Sequence, residues 1–134
     1  MNEPETIRAL VQAKTIAVIG ISADPAKPSH YVSAYMQSRG HRILPVNPAL
    51  ESVLGEKSYP SLAALPVKPD LVNVFRLPQF VPAIVDEMIA LGLPAIWIQQ
   101  GIIHREAAER AEAHGIKVVM DRCLMVESRY AGIE

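Results

Sequence analysis

The stretch "TIAVIGISADPAKPSHYVSAYMQSRG", from Thr15 to Gly40, decides how this sequence folds. Ile16 to Ile19 is a short β-branched run that suits a strand buried on both faces. Gly20 follows where the chain must turn, and glycine accepts backbone angles that other residues adopt only at a cost. A polar loop comes next. Ser29 is then placed to cap a helix running through Arg39, with Gly40 as its stop. Strand, glycine loop and helix open a nucleotide-binding α/β unit, yet the full dinucleotide fingerprint G-x-G-x-x-G is missing. Ser22 and Pro25 stand where its second and third glycines belong.

The same alternation continues outward from this stretch. An N-terminal helix over about 3–13 carries Ile7, Leu10 and Val11 at helical spacing and leads into a first strand over about 15–19. "HRILPVNP" predicts a second strand, in which Pro45 removes one ladder donor. "YPSLAALP" predicts a single helical turn, and "DLVNVF" a third strand. Pro82 fits the first turn of a helix that reaches Leu91 and stops at Gly92. "AIWI" is a fourth strand, His104 to Ala113 a helix, and "KVVM" a fifth strand, followed by "DRCLMVE" as a loop. The expectation is one Rossmann-like domain over 1–134: a doubly wound, mainly five-stranded parallel sheet with helices on both faces. Such sheets take ligands beyond the carboxyl ends of their strands, where the strand order reverses.

Composition narrows the classes of function. Half of the 134 residues are hydrophobic, a fifth are charged, and the formal net charge is −1. That balance gives no pull toward nucleic acid or an anionic membrane surface. No apolar run approaches the roughly 18 to 20 residues that span a bilayer. "MNEPETIRAL" lacks the basic and apolar regions of a signal peptide, and the lone Cys123 excludes an internal disulfide framework, so the expected location is the cytoplasm. The four histidines lack metal-ligand spacing, and neither a G-x-S-x-G elbow nor a phosphate-binding P-loop is present. No acid–base pair stands out. The sequence assigns neither a metal site nor catalytic residues.

Candidate binding residues lie in the loops after the strands. Gly20, Ser22, Pro25, Lys27 and Ser29 form a loop that offers backbone N–H groups, two hydroxyls and a cation at a helix N-terminus, a setting that attracts phosphate. NAD-binding folds carry an acid after the second strand to hold the ribose hydroxyls. Here that strand ends in Val46, Asn47 and Pro48, with no acid before Glu51. The gap weighs against NAD and admits a ribose bearing phosphate, as in NADP or coenzyme A. Arg76 suits a phosphate oxygen pair or an ion pair with a carboxylate. Phase-matched to the same strand end, Phe75 suits either adenine stacking or the core. Gln99 and Gln100 offer uncharged donors and acceptors. Cys123, beside Arg122, is either a thiol near the cleft or a buried small hydrophobe.

Six pieces in order, "AVIGIS…PAKPS", "ILPVNP", "LGEKSYPSL", "PDLVNVFR", "IWIQQGI" and "MDRCLMVE", resemble the family of small single-domain CoA-binding proteins. That family is similar to the CoA-binding N-terminal domain of the succinyl-CoA synthetase alpha subunit. The resemblance runs from about Thr15 to Glu127. It implies coenzyme A or an acyl-CoA as ligand, with the first loop along the diphosphate or 3′-phosphate and Val46, Asn47 and Pro48 bordering the adenosine. It places Phe75, Arg76, Ile98, Gln99 and Gln100 along the rest of the cofactor. One departure is visible: Leu50 and Glu51 stand where the synthetase carries a CoA-binding lysine. The reading is a non-catalytic CoA-binding module. Its alternatives are a small NADP- or acyl-CoA-dependent enzyme and a CoA-sensing subunit of a larger assembly.

Overall fold

The computed structural model describes residues 1–131. In chain order it holds α1 (Pro4–Leu10), β1 (Thr15–Ile19), α2 (Pro28–Ser38), β2 (Arg42–Val46), β3 (Ser52–Val53) and β4 (Glu56–Lys57). These lead to β5 (Leu71–Val74), α3 (Val81–Leu91), β6 (Ala95–Gln99), α4 (Arg105–Ala113), β7 (Lys117–Arg122) and α5 (Leu124–Ala131). Single helical turns at Leu62–Ala64 and Pro78–Phe80 complete the path.

Five strands form one parallel sheet in the order β2-β1-β5-β6-β7. From β1 the chain moves to one side to make β2 and then crosses back past β1 to make β5. The reversal therefore lies between β1 and β5, and it is the place where a doubly wound sheet opens a crevice. Pro45 is tolerated because β2 is an edge strand. Its carbonyl faces outward, accepting the Tyr59 N–H at 3.0 Å, so the donor it lacks is missing on the edge and not on the β1 side.

Each strand buries both faces, as its near-continuous apolar run requires. One face packs Ala17, Val72, Val74, Ile96 and Ile98 under α3 and α4. The other packs Ile16, Val18, Leu71, Trp97 and Val119 under α1, α2 and α5. The expected fold is the observed one.

Two local expectations are corrected, and one element is added. Ser29 does not cap α2: the helix starts at Pro28 after Lys27, with no side-chain cap, and the Ser29 hydroxyl turns inward to the preceding loop. "DRCLMVE" is not a loop, because β7 runs to Arg122 and α5 starts at Leu124, leaving Cys123 alone between them. The segment after β2 folds into a β3–β4 hairpin that has no sequence signal. Its turn holds Leu54 at φ 55° and Gly55 at φ 74°, and a bulky residue at positive φ is not what such turns favour. The Gln37 side chain donates to the Leu54 carbonyl at 2.9 Å and secures that turn from outside.

Candidate functional site

At the carboxyl edge of the sheet, three loops meet over the reversal point. Gly20 sits at φ 87°, a left-handed angle natural to glycine. A Cβ built there would lie 2.4 Å from the Phe75 carbonyl oxygen and 3.0 Å from the Arg76 Cδ. The first loop thus passes directly against the end of β5. On its other side Gly20 donates its N–H to the Val46 carbonyl at 3.1 Å, and the Asn47 amide donates to the Ile21 carbonyl at 2.8 Å. Gly20, Val46, Asn47, Phe75 and Arg76, far apart in sequence, are brought together.

The first loop is organised from within. Ser22 N–H donates to the Ser29 hydroxyl at 2.9 Å, Asp24 N–H to the Ser22 hydroxyl at 3.0 Å, and Ala26 N–H to the Asp24 carboxylate at 2.9 Å. Lys27 N–H closes on the Asp24 carbonyl, and the His30 ring pairs with the Ser22 carbonyl. Much of the amide supply expected for an anion is therefore used by the loop's own hydroxyls and by Asp24, which the sequence reading passed over. The amides of Ala23 and Ser29 take no part in these bonds. What the loop offers a ligand is a prearranged shape and the N-terminal dipole of α2. Pro25 and Lys27 are exposed on it, while Ser29 is buried.

Arg76 supplies the cation best placed for an anion. Its guanidinium carbon lies 4.2 Å from the centre of the Phe80 ring, which holds the head group in place through a cation–π contact. Among the described residues it has no carboxylate within ion-pair distance. Phe75 is half-buried against the α1/α2/α5 core. Pro48 is exposed, and the Asn47 carboxamide oxygen is taken by the Ala49 N–H at 2.9 Å.

Beyond β6 the expected residues separate. Ile98 is fully buried under α3 and α4, so its side chain presents nothing to the cleft. Gln99 is buried, accepting the Leu124 N–H at 3.4 Å, and Gln100 is exposed. Asp121, which no motif singles out, orders this turn: at φ 61° its carboxylate accepts the Gly101 N–H at 2.8 Å. A bulge in the β6–β7 register at Ile98/Gln99 accompanies it. Cys123 is half-buried and packs against the α1/α2/α5 core. The Met1 ammonium, at the β7 edge, donates to Glu3 and Glu112; these bonds raise its pKa, and the ammonium lowers that of Glu3. No cluster of metal-ligating side chains occurs among the described residues.

A parallel doubly wound sheet, with a glycine loop and a helix N-terminus at its reversal point, defines a Rossmann-like α/β domain. The chain belongs to the CoA-binding domain family, which it matches over residues 14–129. It is 38% identical over 125 residues to the uncharacterised protein YneT of Bacillus subtilis, covering 93% of each chain. A solved Thermus thermophilus protein superposes with a TM-score of 0.90 at 42% identity, covering 98% of this chain and 99% of that one. An ADP-forming acetate–CoA ligase of Archaeoglobus fulgidus is 29% identical over 125 residues. That match takes in 86% of this chain but only 18% of the ligase.

Proposed function

We propose that this protein binds coenzyme A or an acyl-CoA in the crevice between β1 and β5, as a binding module of the cytoplasm that performs no reaction of its own. The observation that carries the reading is Arg76: a guanidinium beside Gly20, at the reversal point, with no carboxylate in ion-pair distance among the described residues, in a chain of the CoA-binding family. Arg76 and the α2 N-terminus hold the diphosphate, Lys27 reaches the 3′-phosphate, and Val46, Asn47 and Pro48 border the adenosine. Asn47 supports the choice of ligand. It occupies the position of the usual ribose-binding acid, carries no charge and spends its side chain on Ile21 and Ala49. The pantetheine arm then passes Phe75 toward Gln99 and Gln100. No helix among the described residues is long and apolar enough to cross a membrane.

Titration calorimetry with CoA, NADP and NAD tests this reading. CoA is expected to bind most tightly and NAD least. Binding of NAD ahead of CoA, or of neither ligand, sinks it.

A further inference from the structure

The residues buried beneath the cleft include one group that the fold leaves unsatisfied. Asn73, the third residue of β5, is 1% exposed, and among the described residues neither its amide nitrogen nor its amide oxygen has a partner. Strand alternation puts its side chain on the face of Leu71, the one covered by α1, α2 and α5, level with Val18 on β1 and Trp97 on β6. A buried amide with neither bond made is destabilising twice over, once for the donor and once for the acceptor. An apolar residue there would fold better.

The surroundings indicate what would satisfy it. Ser29 and Ser33, on α2, and Gln99, at the end of β6, are buried on this same side of the sheet, and each has a bonding partner. They are buried polar side chains on a face that is otherwise apolar. Asn73 lies on that face, one residue below the end of β5, and its pairing among the described residues is incomplete. A group that offers one donor and one acceptor at amide spacing completes it, and a secondary amide does so.

We propose that Asn73 is a ligand-binding residue that pairs with a secondary amide in the tail of the bound molecule. The proposal rests on the CoA reading above and assigns one pantetheine amide to this side chain. Phe75, two residues nearer the carboxyl edge on the same face, is half-buried there. Recognition at this point selects ligands with an amide-bearing arm over bare nucleotides of the same charge.

The test compares CoA with adenosine 3′,5′-bisphosphate, which has the nucleotide and no arm. Trp97 is the single tryptophan of the chain and lies directly across from Asn73, so its fluorescence reports on this position. CoA is expected to shift the Trp97 emission of the wild-type protein, and the bisphosphate to leave it unchanged. Asn73→Leu is expected to melt higher when ligand-free, to bind CoA roughly ten- to a hundredfold more weakly, and to bind the bisphosphate as before. Asn73→Ser, which keeps one hydroxyl, should fall between them and guards against a folding defect in the first variant. If wild type binds CoA and both variants bind it within twofold as tightly, a buried water is the partner and the proposal is overturned. If wild type binds neither compound, the CoA reading itself fails and takes this proposal with it.

Discussion

The two faces of the sheet are built differently. Under α3 and α4 the core is aliphatic throughout: Val81, Ile84, Val85 and Met88 from one helix meet Ala107, Ala108 and Ala111 from the other. Under α1, α2 and α5 the core is as tightly buried, yet Ser29, Ser33, Asn73 and Gln99 interrupt it. Burial of an apolar side chain contributes about 1.5 to 3 kcal/mol, whereas a buried polar group costs free energy unless it is bonded. One face therefore carries no such cost. The other carries Asn73, buried and without a bonding partner among the described residues.

The sharpest way to break this contrast is Gly20→Ala. A methyl group would collide with the Phe75 carbonyl at an angle alanine resists, so a loss of roughly 2 to 5 kcal/mol is expected in urea unfolding, together with loss of CoA binding. Gly40→Ala is the control. Gly40 has φ 98° but nothing within 4 Å of its Cβ position, so only the backbone strain of about 1 to 2 kcal/mol should appear.

Met88→Ala probes the aliphatic face. The side chain is fully buried, and truncation should cost about 2 to 4 kcal/mol while leaving CoA affinity, measured well below the melting temperature, within twofold. A large change in affinity would show that the two faces are not separable.

Arg76→Ala reverses that pattern. Stability should move by less than about 1 kcal/mol, since only the Phe80 contact is lost, whereas CoA affinity should fall roughly ten- to a hundredfold through loss of a charge-assisted phosphate bond. Dephospho-CoA should suffer equally, because Arg76 faces the diphosphate in this arrangement.

The smallest effect is expected from Lys27→Ala. The side chain is exposed, so its phosphate contact is screened and worth about 0.5 to 1 kcal/mol, a change of roughly two- to fivefold. Calorimetry should find that loss with CoA and none with dephospho-CoA. Equal losses would move Lys27 to the diphosphate.

Much of this architecture is legible in the sequence because it depends on local terms. The β-branched runs at Ile16–Ile19 and Leu71–Val74, glycine stops such as Gly92 and the proline-initiated α3 need only neighbours in the chain to be read. The same holds for the parallel sheet of five strands, since alternating strands and helices leave few ways to wind. Other features depend on partners distant in the chain. Ser29 looks like a helix cap until the loop folds back and offers it the Ser22 N–H. The Leu54–Gly55 turn is held by Gln37 from another element, and α5 begins where Gln99 meets the Leu124 N–H. Asn73 reads as one polar residue in "DLVNVF". Only the placing of β5 between β1 and β6, on the face covered by α1, α2 and α5, removes it from water without giving it a bond among the described residues. Patterning along the chain thus determined which residues form the five strands of the parallel sheet, and that these strands are buried on both faces. Tertiary packing decided which polar atoms are satisfied, because a hydrogen-bond partner is set by position in space and not by distance along the sequence.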